Sequence, residues 1–392
     1  MTFQIAERLR GLPDYPFVAI EQEVRQLKAQ GRDIISLNVG SPDMPPPPHV
    51  IQKLIDCVSR PDTHGYSSYR GTPAFREAVA RYYKRTFNVD LDPECEVLPL
   101  IGSKEGIVNF TFSAISPGDL VLLPSPAYPA YEAATLMAQG RLYSLPLRAE
   151  NGFLPDLEAI PLEVARQAKI LWINYPNNPT GALATLEDYR RIFAFCQQYE
   201  ITLASDNPYF AIVFDGSRPV SALQADPSKS RTIEFMSLSK TYHMAGWRLG
   251  AAVGNAEAIA ALLTVKSNMD SGHFAAIYEA GVTAINDTSQ EWIDESNQLL
   301  YRRAQLLIEA APQIGLHLDV PPKGSLYLWL RVGQGDDIAY CHDALHQANV
   351  SLVPGSIYGE AGKGYIRISV VMPENRIMEA IDRLRRWWDS RE

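Results

Sequence analysis

The sequence predicts a layered α/β protein, a mostly parallel sheet covered on both faces by helices, followed by a smaller α+β unit. Between Glu96 and Gly254, short and nearly all-apolar runs recur: EVLPLI, LVLLP, KILWINYP, ITLAS, TIEFMSLS and LGAAVG. A strand apolar on both sides has to be covered on both faces. Amphipathic helical patterns alternate with these runs, the order that a layered α/β architecture demands. After about Gly272 the texture changes to long helical stretches with the strands SLYLWL and YIRISV among them.

The elements follow in order. Phe17 to Gln30 carries apolar residues at helical spacing and ends at Gly31, a residue suited to a helix C-terminus. IISLNVG reads as a short strand, and Pro45 to Pro48 can continue neither element, which makes it a connection into a helix from His49 to Val58. Thr72-Pro73 starts the next helix, and the one from Ser103 ends before Pro117-Gly118-Asp119. Thr185-Leu186-Glu187-Asp188 is a capping box. Gln290 to Glu309 and Glu374 to Trp388 read as helices of the last unit. The 392 residues exceed what one ordinary core serves. The expected division is an N-terminal segment 1–46 packed on the small unit, since it lacks partners for its own core, a large domain 47–280 and a small domain 281–392.

Charge and composition exclude several classes. The 45 acidic residues against 36 basic ones give a net charge of −9 with no basic run, unlike a nucleic-acid binder. The N-terminal stretch MTFQIAERLRGLPDYPF has charges where a signal peptide needs an apolar core, and no segment has the roughly 18 apolar residues of a membrane span, so a cytoplasmic location is expected. Cys57, Cys95, Cys196 and Cys341 are scattered and form no zinc pattern. His342 and His346 would share a helix face, but Asp343, Ala344 and Leu345 lie between them and no general-base Glu follows the first. They read as a plain surface helix, and no metal is expected.

Three segments carry chemistry. Ser237-Leu238-Ser239-Lys240, with Arg248 eight residues on, gathers hydroxyls, an amine and a guanidinium at a strand end, a set that could hold an aldehyde cofactor covalently and fix its phosphate. Alone, it is equally a solvated lysine beside a capping serine. Asn174-Tyr175-Pro176-Asn177-Asn178-Pro179-Thr180-Gly181 follows an apolar strand, where α/β sheets bind ligands, though it also suits an ordinary Asn-Pro turn. Asp206 closes ITLAS, and a carboxylate there is able either to pair with a ring nitrogen or to cap the next element.

Together these segments resemble the class I/II aminotransferases among the fold-type I pyridoxal-phosphate enzymes, through essentially the whole chain. The resemblance implies a mostly parallel seven-stranded sheet in a cofactor-binding large domain, with pyridoxal 5'-phosphate as cofactor. It gives Lys240 the covalent link and the proton transfer, Asp206 the pyridine nitrogen, and Asn178 and Tyr209 the ring's phenolic oxygen. Ser237, Ser239 and Arg248 would hold the phosphate, as would the turn Gly102-Ser103-Lys104, whose helix start suits an anion. Tyr128 is similar to the aromatic that stacks on the ring. Tyr66, in YSSYRG, is similar to the tyrosine that reaches the neighbouring subunit's phosphate, which implies a homodimer. Arg367 resembles the clamp for the substrate α-carboxylate, with Gly40 approaching the same group through its backbone.

Within that family, EVLPLIGSKEG, ENGFLPDLEAI and KSNMDSG are similar to the L,L-diaminopimelate aminotransferases, implying that substrate with 2-oxoglutarate and a place in lysine biosynthesis. His243, Asn207-Pro208 and Val108-Asn109 depart from that group's pattern. The alternatives are a broad aspartate or alanine aminotransferase, or a lyase on the same scaffold. A cofactor-sensing DNA-binding regulator needs an extension for which the stretch before Gly40 leaves no room.

Overall fold

Seven strands form the central sheet in the order Val97–Leu100, Gly250–Gly254, Thr232–Ser237, Thr202–Asn207, Ala168–Asn174, Leu120–Ser125, Arg141–Pro146 in the computed structural model. The structure describes residues 3–12, 15–214, 216–333 and 336–391; Met1, Thr2, Pro13 and Asp14 of the N-terminal stretch lie outside them. The strand Gly250–Gly254 runs antiparallel to both its neighbours, and the others point one way. Their apolar runs are buried on both sides as the sequence requires. On one face Phe110, Trp172, Phe235, Ile259 and Leu262 pack under the helices Ser103–Ala114 and Ala256–Lys266. On the other, Phe75, Val79, Tyr83, Tyr278 and Ile285 come from the helices Pro73–Phe87 and Ala275–Asp287. The predicted capping box is formed: Thr185 accepts from the Asp188 amide and the Asp188 carboxylate accepts from the Thr185 amide.

Sequence patterning overlooked the strand Arg141–Pro146. It lies at the sheet edge with only Leu145 buried, so it shows no apolar run. IISLNVG is shorter as a strand than expected. Only Ile35–Ser36 pairs, in parallel with Val350–Ser351, while Leu37 accepts from the Ser369 amide of another strand at 2.9 Å. The helix Pro16–Ala29 before it packs Val24 and Leu27, with Ile34, against Leu345.

The C-terminal sheet is antiparallel, in the order Val353–Pro354, Tyr365–Ser369, Tyr327–Val332, Leu316–His317. The helices Gln290–Ala310, Asp337–Gln347 and Glu374–Asp389 supply Leu300, Leu307, Tyr340, Ile377 and Leu384 to its core. Arg303, 4% exposed, grips Asp43 through two parallel bonds of 2.8 and 2.9 Å and so fixes the loop that follows Gly40.

Inside the large sheet, Glu234 is wholly buried and accepts from the hydroxyls of Tyr83 (2.9 Å), Ser205 (2.9 Å) and Ser221 (2.7 Å) and from the Ala222 amide (2.9 Å). Burial pushes its carboxyl up, and the four donors pull it back only in part. Losing the acceptor would strand its donors, so Glu234→Leu is expected to cost on the order of 3 kcal/mol. Glu234→Gln, which keeps one acceptor oxygen, should cost less. Urea unfolding of both variants measures this, and equal midpoints would argue against the network's role.

Candidate active site

Five loops from the carboxyl ends of parallel strands meet at one cavity of about 590 Å³. Ser103 and Lys104 follow Leu100, Tyr128 follows Ser125, Asn178 follows Asn174, Asp206 and Tyr209 bracket the end of their strand, and Lys240 follows Ser237. This convergence follows from the sheet's direction: strands that run parallel bring their carboxyl ends to the same edge. Arg367 enters from the small sheet and Gly40 from the N-terminal segment.

Asp206 stands at the floor. One carboxylate oxygen accepts from the Tyr131 hydroxyl at 2.6 Å, while the other is buried with no partner among the described residues. Tyr131 is itself fixed by stacking on Trp172, 5.0 Å between centroids at 15°. Burial raises the Asp206 carboxyl to about 7 against the Tyr131 hydrogen bond, so in this dry pocket the site favours a cation against the free oxygen. The Asn174 amide donates to the Asp206 carbonyl at 2.7 Å and accepts from the Asn178 amide N–H at 2.8 Å, tying two of the loops together.

Lys240 extends into the cavity and donates to the Gly40 carbonyl. Burial lowers its ammonium below the ordinary range, and the positive charges of Arg367 and Arg248 add to this. On one side lies an anion cup. The helix Ser103–Ala114 offers its free N-terminal amides, and the Ser237 and Ser239 side chains line the wall beside Arg248. Arg248 adopts a left-handed backbone (φ 59°), with its guanidinium held by the Ala245 carbonyl at 2.9 Å. Gly102 lines no wall, but a side chain there would collide with the Arg248 guanidinium, and its φ of 77° suits glycine.

Arg367 is buried, donating to Asn178 Oδ1 at 3.1 Å and to the Asn38 carbonyl at 2.8 Å. Its guanidinium lies 4.0 Å from the Tyr327 ring centroid and 5.4 Å from those of Phe17 and Tyr358. Tyr327 was not singled out from the sequence, yet it joins most of the site. Its hydroxyl is 3.2 Å from that of Tyr209, and a side chain on Gly40 would strike it. Burial works to raise the Tyr327 phenol, but Arg367 and Lys240 outweigh it and bring the group below its ordinary value.

Tyr15, Phe17 and Glu21 also line the cavity and were not anticipated, because nothing in a local pattern shows that this helix folds back over a distant sheet. The Tyr15 hydroxyl meets that of Tyr128 at 3.2 Å. Lys104, also on the cavity wall, sends its ammonium over the Tyr15 ring, 3.8 Å from the centroid. Tyr66 is not brought to this cavity within the chain; it is 94% exposed. Of the departures noted in the sequence, Pro208 lines the cavity, while Asn109 donates to Glu105 inside a helix and His243 contacts the Pro45 carbonyl and Ser296.

A buried lysine, a carboxylate with one bare oxygen, donors suited to an anion and a buried arginine thus meet at the carboxyl edge of a mostly parallel sheet. The chain belongs to the aminotransferase class I and II family, whose model matches residues 32–384. It is 46% identical over 387 residues to an LL-diaminopimelate aminotransferase of Syntrophobacter fumaroxidans, covering 98% of this chain and 99% of that protein. Among solved structures, apo-BacF of Bacillus subtilis superposes with a TM-score of 0.94 at 34% identity, covering 98% of each chain. A probable N-succinyldiaminopimelate aminotransferase of Thermus thermophilus does so with 0.88 at 36%, covering 95% of this chain and 99% of the other. Among the described residues no helix is long and apolar enough to cross a membrane.

The raised Asp206 carboxyl has a consequence for the cofactor-free protein. Its folded value lies above the unfolded one, so the folded state takes up a proton and is penalised as pH rises toward and past about 7. Each pH unit separating the folded from the unfolded value is worth about 1.4 kcal/mol, so cofactor-free Asp206→Asn should be more stable than the wild type at pH 8 by up to roughly 4 kcal/mol. The gain should vanish near pH 4. Thermal unfolding across that range tests it, and a pH-independent difference would contradict the assignment.

Proposed function

We propose that the chain binds pyridoxal 5'-phosphate on Lys240 and transfers the amino group of L,L-diaminopimelate to 2-oxoglutarate, or runs the reverse reaction. The unpaired buried oxygen of Asp206 carries the cofactor reading, because it is an acceptor suited to a protonated pyridine nitrogen and the described residues supply no partner. The rest of the donor set fits the same molecule. The Lys240 amine suits its aldehyde, Asn178 and Tyr209 its phenolic oxygen, and the cup of Ser103, Ser237, Ser239 and Arg248 its phosphate. The missing side chain of Gly102 leaves room for the Arg248 guanidinium beside that cup. When bound, the cofactor supplies an electron sink for the charge left on the substrate α-carbon.

The residues of this chain do the rest. Arg367 would grip the α-carboxylate with a planar two-pronged donor, its direction set by Asn178 and the surrounding rings. Lys240 would carry the α-proton across; its lowered basicity keeps more of it neutral and able to accept. Tyr209 and Tyr327 lie as linked hydroxyls beside that path. Each half of the cycle uses the same groups, so donor and acceptor bind in turn at one site.

The substrate reading is supported by the curated relative and by the cavity itself. Besides Arg367 the walls carry Glu21 and Lys104, an acceptor and a donor for a distal ammonium and a distal carboxylate. A site that hydrogen-bonds such groups rejects substrates lacking them, because its own polar groups are left unpaired. The expected outcome is a kcat/KM for L,L-diaminopimelate above those for glutamate, aspartate, alanine and aromatic donors. A common amino acid in first place would replace this reading with a broad aminotransferase.

Tyr66 supports a dimer. Its exposure suits a side chain completing a neighbour's anion cup, and the three-part division at residues 46 and 280 leaves it on the large unit. Mixing Tyr66→Phe with Lys240→Ala protein should create hybrids with one intact site, restoring up to about a quarter of wild-type turnover. No recovery after subunit exchange, or a fully active monomer, would remove Tyr66 from the site.

A further inference from the structure

We infer a divalent-cation site formed by Glu23, His342 and His346, where the helix Pro16–Ala29 meets the helix Asp337–Gln347. A ring nitrogen of each histidine and a carboxylate oxygen of Glu23 lie within 4.8 Å of one another. The histidines sit one helical turn apart, with ring centroids at 4.4 Å and planes inclined by 33°. Nε2 of His346 is 2.7 Å from Oε1 of Glu23, a residue 323 positions away in the chain. That distance is why the pair alone reads as a plain surface helix in the sequence.

The geometry is prepared by contacts that need no ion. Val24, next to Glu23, and Leu27 pack with Leu345, next to His346. Arg32 of the same segment donates to the His346 carbonyl at 2.5 Å, the Leu345 carbonyl at 3.3 Å and Asn349 Oδ1 at 2.7 Å. The backbones bearing the three ligands are thus fixed to each other from both sides. Ligand bonds of about 2.0–2.2 Å place ligand atoms about 3.4 Å apart around a tetrahedral ion. Rotation of the exposed His342 ring and the half-exposed Glu23 carboxylate would close the cluster to that size. The Asp343 carboxylate, 3.4 Å from His342 Nδ1, adds negative charge beside it.

Two imidazoles and one carboxylate suit a borderline cation, zinc above all, with a fourth position open to water; calcium and magnesium prefer all-oxygen sets. The site lies apart from the cavity, and the inference does not rest on the substrate reading. It bears on the enzyme mechanically. Tyr15, Phe17 and Glu21 lie at the start of the N-terminal helix and line the cavity, so a cation would bolt that helix to the C-terminal unit.

The test is zinc titration of chelator-treated holoenzyme by calorimetry, with cobalt(II) absorption as an independent view of the ligands. One zinc per chain is expected, with a dissociation constant on the order of micromolar. His342→Gln and His346→Gln should each weaken it roughly tenfold or more, and Glu23→Gln should weaken it measurably. Saturating zinc should raise the thermal midpoint of the wild type and not of the double histidine variant. Zinc binding as tight in the His342→Gln/His346→Gln double variant as in the wild type would overturn the site. So would binding indifferent to Glu23, as it would leave two histidines acting alone.

Discussion

A carboxylate kept in a dry interior with one oxygen left bare is the constraint around which this active site is arranged. Ionising Asp206 there costs the folded protein unless a positive partner is at hand, and Tyr131 satisfies only half of it. Everything nearby serves to hold that half-satisfied group in place. Trp172 stacks on Tyr131, Asn174 bonds the Asp206 carbonyl, and the parallel ladder from Ala168–Asn174 to Thr202–Asn207 fixes its height. Such an arrangement favours a positive partner against the bare oxygen, because protonation or a cation relieves the cost of burying the charge.

The second organising element is Arg367. It is the point at which three separately placed parts of the chain converge: the small sheet that bears it, the Asn178 loop of the large sheet and the Asn38 carbonyl of the N-terminal segment. Movement of any one part would displace the guanidinium relative to Lys240. The Arg303–Asp43 pair, buried on the arginine side, resists such movement where the segment turns toward Gly40.

Much of this was legible in the sequence, for a physical reason. Strands buried on both faces announce themselves as apolar runs, and the residues just past their ends were the ones that lined the cavity: Ser103, Tyr128, Asn178, Asp206 and Lys240. What escaped detection had no local signal. Tyr131 and Tyr327 look like core tyrosines until the fold sets one against Asp206 and the other against Arg367. Tyr15 precedes, and Phe17 and Glu21 belong to, a helix whose pattern tells only that it has an apolar face, not which distant loop it covers. The edge strand was hidden because its side chains are those of a surface.

That edge strand has a consequence for the protein's behaviour when concentrated. A seven-stranded sheet leaves two rows of backbone donors and acceptors open to recruit foreign strands, the usual seed of ordered aggregation. Here the last strand begins with Arg141, whose guanidinium is held by the Gly118 carbonyl and Gln167, and ends with Pro146, which has no N–H to offer. Charge at one end and a missing donor at the other make it a poor template, so the layer that positions the cavity loops is closed to further strands on this side.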